Sequence, residues 1–407
     1  METPAARFGA SEADWRNWRW QLRHALGGAE ALAVVADLTA AERRGLALAS
    51  EQGVRVAVTP YYASLIDRAH PSCPVRIQAI PTAAEFERSP GDLQDPLGED
   101  VRRPARALVH RYPDRALLLA TDRCAVYCRH CTRRRVTLAG EGALSREDLD
   151  RSVEYLRTQP AIRDVIISGG DPLVLDDDRL DALLSAVRSV PHVKVVRLAT
   201  RAPVVLPMRI DVRLAALLRR HAPLFVVTHF NHPKECTDDA RAACEALVDA
   251  GVPVENQTVL LRGVNSSARI LRDLFETLLG WRVRPYYLHQ GDLAAGTGHL
   301  RTPLEAGVAI LEALRGTTSG LAIPHLAVDL PGGGGKVTLL PDYRLPAAAA
   351  AERGTWLRNG RGERYFYPEP PERDCTCPYE AVYYRTPEEP GAGGPAAAGP
   401  GRDEVGA

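Results

Sequence analysis

Between residues 106 and 341, the chain alternates short runs rich in β-branched residues with longer segments of helical pattern. The runs are 116–121, 165–170, 195–200, 224–230, 254–261, 284–290 and 322–330, and between them lie segments of crossover length such as 145–157, 211–221, 238–250 and 302–315. This alternation is typical of βαβ units with a parallel sheet. Because there are six or seven such runs rather than eight, the pattern predicts an α/β fold with an open partial (β/α)6 TIM-like barrel. A doubly wound sheet is the alternative.

The segments that flank this barrel have different patterns. Residues 1–105 are predicted to form an N-terminal helical accessory domain, in which Thr39 and Glu42 make a capping box. Residues 342–385 are predicted to be an irregular C-terminal segment. Residues 386–407, rich in Gly, Pro and Ala, are predicted to be a disordered tail. The barrel is therefore the part expected to carry the chemistry.

Charge and hydrophobicity narrow the range of partners. The 407 residues include 51 basic and 51 acidic side chains, so the net charge is zero. The overall electrostatic potential therefore does not favour binding to nucleic acid or to an anionic membrane. The N-terminus lacks the pattern of a signal peptide, and no apolar run reaches the length of roughly 18 residues that a membrane helix needs. We therefore expect a cytoplasmic protein with a small-molecule partner.

The cysteines are clustered rather than spread as in a disulfide framework. Three of the eight, Cys124, Cys128 and Cys131, lie directly after the first predicted barrel strand. Three thiolates at this spacing can bind three irons of a [4Fe-4S] cluster and leave the fourth iron open for a substrate. A zinc site made by these cysteines with His130 is the alternative.

The spacing of these cysteines resembles that of the radical S-adenosylmethionine (SAM) superfamily, whose members bind SAM at the open iron and cleave it to a radical. The segment Ser168, Gly169, Gly170 and Asp171 follows the second strand and resembles the superfamily segment that contacts the methionyl amino group. The resemblance implies a [4Fe-4S] cluster, SAM and an external electron donor.

A second motif, Asp329-Leu-Pro-Gly-Gly-Gly-Gly-Lys336, follows the last predicted barrel strand. It does not match a phosphate-binding P-loop, because Leu330 replaces the first glycine and Val337 replaces the Ser or Thr that would hold magnesium. A lysine beside such a glycine run can bond to an aldehyde cofactor if its pKa is lowered. The alternative is a flexible glycine turn with a solvated lysine.

The two motifs together resemble the lysine 2,3-aminomutase family, and the resemblance runs from residue 17 to about residue 380. It implies that Lys336 carries pyridoxal phosphate. The residues implied to bind or flank the cofactor phosphate are Arg111, Tyr112 and Arg115, and those near the adenosyl group of SAM are His130 and Gln257.

The same resemblance assigns the substrate site. It implies that Arg133 pairs with the carboxylate of a free amino acid and that Asp292 and Asp329 hold its distal ammonium. A pocket with two carboxylates favours a cationic side chain and excludes glutamate. The expected activity is therefore the interconversion of L-lysine and β-lysine by a radical shift of the amino group. Arginine or another amino acid remains an alternative substrate.

Other functions remain to be weighed. One alternative to a free amino acid mutase is a related aminomutase that acts on a lysyl side chain of a translation factor. The other is a non-catalytic metal-binding or RNA-binding protein. The run Arg133-Arg134-Arg135 is the feature that could indicate a nucleic-acid patch. The C-terminal segment favours the free amino acid as substrate.

The C-terminal segment departs from the family. Clostridial-type members bind zinc with three C-terminal cysteines and one from a neighbouring subunit. Here Glu380 stands in place of the third cysteine after Cys375 and Cys377, and serine replaces the fourth in the segment 263–267. With two of four ligands missing, we expect no stoichiometric zinc. A homo-oligomer remains open.

Overall fold

The computed structural model describes residues 3–139, 144–346 and 354–368. They fall into two compact units, one that ends at Asp342 and one that begins at Tyr343. The second unit contains an antiparallel pair of strands, in which the rings of Trp356 and Phe366 lie 5.4 Å apart. No helix among the described residues combines the length and the apolar character needed to cross a membrane.

A nine-stranded sheet in strictly sequential order, β1 to β9, dominates the first unit. Its strands are β1 (Leu108–Tyr112), β2 (Arg115–Thr121), β3 (Asp164–Gly169), β4 (Val195–Ala199), β5 (Leu224–Thr228), β6 (Val254–Leu260), β7 (Arg284–Gln290), β8 (His325–Leu330) and β9 (Gly335–Leu339); the second unit holds β10 (Gly354–Arg358) and β11 (Arg364–Pro368). Strands β2 to β8 are parallel, whereas β1 and β9 are antiparallel to their neighbours at the two edges.

This strand order distinguishes between the two predicted architectures. A doubly wound sheet reverses its strand order at a switch point, but here each parallel strand pairs with the next one along the chain. The sheet is therefore a curled half-barrel, and the predicted open α/β barrel is confirmed. The seven predicted runs correspond to β2 to β8, but the sequence analysis missed the two antiparallel edge strands.

Helices precede the sheet and also lie between its parallel strands along the chain. They are α1 (Pro4–Arg7), α2 (Glu12–Trp15), α3 (Trp18–Arg23), α4 (Ala29–Ala33), α5 (Ala40–Glu51), α6 (Pro60–Ser64), α7 (Pro74–Ala79), α8 (Arg134–Ala139), α9 (Arg146–Arg157), α10 (Asp177–Arg188), α11 (Ala202–Val205), α12 (Val212–Arg220), α13 (Asp238–Asp249), α14 (Ala268–Gly280) and α15 (Leu304–Leu314). Helix α13 shows why these segments are helical: Thr237 caps its first turn, and Ala240, Ala243 and Leu247 bury one face at helical spacing.

The N-terminal region consists of short helices, as predicted. The Thr39 hydroxyl accepts a hydrogen bond from the Glu42 backbone N–H and the Glu42 carboxylate accepts one from Thr39, so the predicted capping box is confirmed. Buried side chains of this region, such as Leu32 and Tyr62, belong to the same apolar core as Ile167 and Leu198 of the barrel. The sequence pattern changes near residue 105, but residues from both sides of that position pack into one continuous apolar core.

Candidate active site

A cavity of about 650 Å³ occupies the inside of the half-barrel. A closed barrel fills this space with layers of apolar side chains, whereas here charged and polar residues line it. All the cofactor-binding and substrate-binding residues predicted from the sequence line this one cavity: Arg111, Tyr112, Arg115, Cys124, Cys128, His130, Cys131, Arg133, Ser168, Gly169, Gly170, Asp171, Gln257, Asp292, Asp329 and Lys336. The structure thus brings these residues together, and the role of each residue stays a prediction.

The cysteine loop follows β2 at the carboxyl end of the sheet. Burial, and then the neighbouring thiols, raise the pKa of Cys124 well above its usual value, and burial with Cys128 raises the pKa of Cys131 to about 11. The three sulfurs are therefore close enough to interact. Within the described ranges, no three His, Cys, Asp or Glu side chains converge to hold a single metal ion. A cubane cluster does not require this, because each cysteine binds a different iron, and the donor set fits such a cluster.

Arg201 contacts the cysteine loop from the carboxyl end of β4. Its Nη1 lies 2.8 Å from the Sγ of Cys128, and its Nη2 donates to the Tyr62 hydroxyl, the Gln78 side chain and the Glu235 carboxylate. The sequence analysis did not identify this residue. Its position directly after a barrel strand was the only available signal, because barrel enzymes place functional residues at that end.

The glycines after β3 are required by packing between two loops. A Cβ on Gly169 would lie 2.5 Å from the Thr121 carbonyl oxygen, and one on Gly170 would lie 2.3 Å from the Arg123 carbonyl oxygen. The Asp171 carboxylate accepts hydrogen bonds from the Thr200 hydroxyl and from two backbone N–H groups. This segment is therefore held tightly against the loop that carries the cysteines.

The two residues predicted near the adenosyl group occupy the middle of the cavity. His130 is partly buried, and burial and then Arg201 lower its pKa well below the usual value, so its ring is neutral. Its Nδ1 has no hydrogen-bond partner among the described residues. Gln257 lies on β6 and lines the same cavity. A buried ring nitrogen without a partner is typical of a site that a ligand completes.

Lys336 lies on β9, in an antiparallel hairpin with β8. The alternative of a flexible glycine turn is wrong for this residue, because the turn ends before Lys336 and the lysine pairs in register with Asp329. Gly332 and Gly333, with φ of 64° and 81°, make the reversal possible. The Lys336 Nζ lies 2.5 Å from Asp329 Oδ2 and 3.3 Å from His289 Nδ1.

Arg111, Tyr112 and Arg115 come from β1 and β2, close to this hairpin. Nη1 of Arg111 donates to Asp329 Oδ1 at 3.3 Å, whereas its Nε and Nη2 and the Tyr112 hydroxyl are buried without a hydrogen-bond partner among the described residues. The Arg115 guanidinium lies 3.9 Å from the centre of the Tyr112 ring. Buried unpaired donors are costly, and arginine donors match phosphate oxygens. This group therefore fits the phosphate of a cofactor held at Lys336.

The predicted substrate residues lie between the cysteines and Lys336. Arg133 is partly buried, and its Nη1 contacts both carboxylate oxygens of Glu99 at 2.8 and 2.7 Å. Burial, and then the negative charge of Asp329, raise the pKa of Asp292. A carboxylate whose pKa is raised by a second carboxylate favours a cation between the two. Glu99 was not identified from the sequence.

The three arginines after the cysteines form ion pairs within the fold. Arg133 pairs with Glu99 at 2.7 Å, Arg134 with Glu85 at 2.5 Å, and Arg135 with Asp100 at 2.6 Å. These three ion pairs therefore connect the residues that follow the cysteine loop to the segment before β1. Cys375, Cys377 and Glu380, on which the zinc prediction rests, lie outside the described residues.

Comparison with known proteins identifies the family. The sequence matches the radical SAM superfamily over residues 118–274 and the lysine-2,3-aminomutase family over residues 311–390. It is 46% identical to the L-lysine 2,3-aminomutase of Clostridium subterminale, over 88% of this chain and 86% of that protein. It is 44% identical to the L-lysine 2,3-aminomutase of Bacillus subtilis, over 93% of this chain and 80% of that protein. It is 43% identical to a glutamate 2,3-aminomutase of Clostridioides difficile, over 82% of this chain and 78% of that protein.

These matches cover both halves of the cavity. Membership of the radical SAM superfamily implies a [4Fe-4S] cluster and SAM at the cysteine loop. The match over the C-terminal part of the barrel includes Lys336. The chain belongs to the lysine 2,3-aminomutase family of radical SAM enzymes.

Proposed function

We propose that this protein is an L-lysine 2,3-aminomutase, which moves the amino group of free L-lysine from carbon 2 to carbon 3. The observation that carries the proposal is a single cavity that is lined both by the three cysteines and by Lys336. Relatives named L-lysine 2,3-aminomutase at 46% and 44% identity support this reaction. SAM at the cluster and an amino-group carrier at Lys336 can then act on one substrate.

The amino-group carrier we propose is pyridoxal phosphate at Lys336. Bound there, it would hold the amino group during the transfer, while SAM at the cluster would supply the radical that starts the reaction. The unpartnered Nε and Nη2 of Arg111 and the hydroxyl of Tyr112 support a phosphate beside Lys336. Arg115, stacked on the Tyr112 ring, adds positive charge to the same place.

Charge balance around Asp329 favours a cationic substrate. Asp329 now pairs with the Lys336 ammonium at 2.5 Å. When Lys336 bonds to an aldehyde it loses this charge, and Arg111 remains beside Asp329. Asp329 and Asp292 can then pair with a further cation, the distal ammonium of L-lysine, while Arg133 would receive the substrate carboxylate.

The two aspartates also separate the candidate substrates. Glutamate would bring a third carboxylate close to Asp292 and Asp329, which adds like-charge repulsion to its desolvation cost. Lysine and glutamate have to be compared as substrates because one relative is named a glutamate 2,3-aminomutase. Arginine remains the second candidate, because a guanidinium also pairs with two carboxylates.

Covalent labelling tests the cofactor site. The chain has three lysines, Lys194, Lys234 and Lys336. Borohydride reduction of the protein loaded with pyridoxal phosphate, followed by peptide mapping, should place the label on Lys336. The double variant Lys194→Arg/Lys234→Arg should label equally well, and Lys336→Arg should not label. A label on Lys194 or Lys234 in place of Lys336 would overturn the assignment.

Three further expectations remain predictions. They are the external electron donor, the cytoplasmic location and the possible homo-oligomer.

A further inference from the structure

His289 lies on β7 with its ring inside the cavity. Its Nδ1 is 3.3 Å from the Lys336 Nζ, and Asp329 Oδ2 contacts the same Nζ at 2.5 Å. Lys336 is thus held between a carboxylate and an imidazole. None of the roles assigned above uses this imidazole.

The geometry defines the charge state of the ring. An ammonium can only donate, so Nδ1 of His289 accepts and carries no proton. Burial, and then the charge of Lys336 and His229, lower the pKa of His289 well below its usual value. The ring of Tyr287, with its centre 5.2 Å from that of His289, covers it from the neighbouring position on the same strand. His289 is therefore a neutral proton acceptor in contact with the nitrogen that must lose a proton.

We propose that His289 is a catalytic proton acceptor for Lys336, and the proposal rests on the cofactor site proposed above. To bond to an aldehyde carbon, Lys336 must be a neutral amine. The proton leaves Nζ, which keeps the N–H electron pair as its lone pair. The proton is received by the lone pair of Nδ1, which turns the imidazole into an imidazolium. The substrate amino group attacks as a neutral amine, after its extra proton has passed to solvent. Its nitrogen takes over the bond to the cofactor carbon, the bond from that carbon to Nζ breaks, and its two hydrogens pass to Nζ. The proton held on Nδ1 then returns to Nζ.

Burial is the first cause of the low pKa of His289, and part of what else lowers it is removed by the transfer itself. The charge of Lys336 is one cause of the low proton affinity of His289, and that cause disappears as the proton moves. The imidazolium that forms then lies near the Asp329 carboxylate, which was paired with the lysine.

Asp329 is less suited to receive the proton itself. Its other oxygen accepts a hydrogen bond from Arg111 at 3.3 Å, so both carboxylate oxygens already contact a cation. It is also the group proposed to bind the substrate ammonium, which requires a carboxylate. His289 carries neither of these constraints.

The test follows cofactor exchange without radical turnover. The protein, with its cluster and pyridoxal phosphate but without SAM or reductant, is mixed rapidly with L-lysine, and the change in cofactor absorbance is recorded. In His289→Asn the amide oxygen can still accept the hydrogen bond but cannot take a proton. We expect pyridoxal phosphate to bind in the same stoichiometry and exchange to slow by roughly 10²- to 10³-fold. The exposed His70→Asn serves as a control with the wild-type rate.

Three results bear on the proposal. An exchange rate in His289→Asn within about threefold of wild type, with Lys336 still labelled by borohydride, would overturn the role of His289 and leave the cofactor site intact. Failure of the wild type to label Lys336 would overturn both. If His289→Asn binds the cofactor poorly, His289→Ala with added imidazole decides: a rate that rises with imidazole concentration supports proton transfer, and a rate that does not rise counts against it.

Discussion

The two ends of the cavity are built in different ways. At the cluster end, one loop of eight residues supplies all three cysteines, from Cys124 to Cys131. At the lysine end, Arg111, His289, Asp329 and Lys336 come from four strands, β1, β7, β8 and β9. Ligands that are neighbours in sequence form a motif that can be recognised by spacing, whereas a site assembled by strand pairing depends on the whole sheet.

The two ends also differ in charge. Burial raises the pKa of the thiols of Cys124 and Cys131. At the lysine end, Lys336, Asp329 and Arg111 form a chain of ion pairs at 2.5 and 3.3 Å. We therefore expect the cluster end to respond mainly to loss of a ligand and the lysine end to loss of a charge.

The largest effect is expected at the cluster end. Cys124→Ala, Cys128→Ala or Cys131→Ala should each abolish stable cluster binding and the reductive cleavage of SAM, because each removes one of three iron ligands. The control Cys236→Ala changes a cysteine outside the loop and should retain about four irons per chain. Labelling of Lys336 by pyridoxal phosphate should persist in all four variants. Full SAM cleavage in the three loop variants would refute the assignment.

Removal of a charge at the lysine end should be the next largest effect. In Asp329→Ala the substrate ammonium loses a buried partner, at a cost of about 3 to 5 kcal/mol. This corresponds to a loss of roughly 10²- to 5 × 10³-fold in kcat/KM for lysine. Cluster content should stay at the wild-type level. A loss below about tenfold would mean that Asp329 does not bind the ammonium.

His229 also lines the cavity, and it makes the stability of the folded protein depend on pH. Burial, and then Arg201, lower its pKa to about 4. Below pH of about 6.5 the unfolded chain binds a proton that the folded protein excludes until about pH 4, so stability falls as the pH decreases through this window. The free energy of unfolding should drop by roughly 3 kcal/mol from this group. His229→Asn should reduce the pH slope measured by urea unfolding. An unchanged slope would contradict the burial of a neutral ring.

The smallest effect is expected at Glu99, which orients Arg133 from the segment before β1. Glu99→Gln keeps the size of the side chain but replaces a bidentate ion pair with a weaker hydrogen bond. We expect KM for lysine to rise about tenfold with a smaller change in kcat, since a hydrogen bond to a charged group contributes about 1.5 kcal/mol. Steady-state kinetics decide. A large fall in kcat with unchanged KM would assign Glu99 to another step.

The sequence could predict what depends on short-range pattern. The alternating runs predicted the parallel strands, and the cysteine and glycine-lysine motifs pointed to Cys124 and Lys336. It could not predict Arg201 or Glu99, because their contacts join residues 73 and 34 positions apart. His289 was missed for the same reason, as its partner is 47 residues away on a strand that was not predicted.

We propose that this cavity converts L-lysine to β-lysine. This proposal is tested most directly by an anaerobic competition assay with reconstituted protein, SAM, pyridoxal phosphate and a reductant. Equal concentrations of L-lysine, L-arginine and L-glutamate are supplied together, and the β-amino acid products are quantified. We expect β-lysine to be the main product. Preference for glutamate would contradict the reading of Asp292 and Asp329 as an ammonium site.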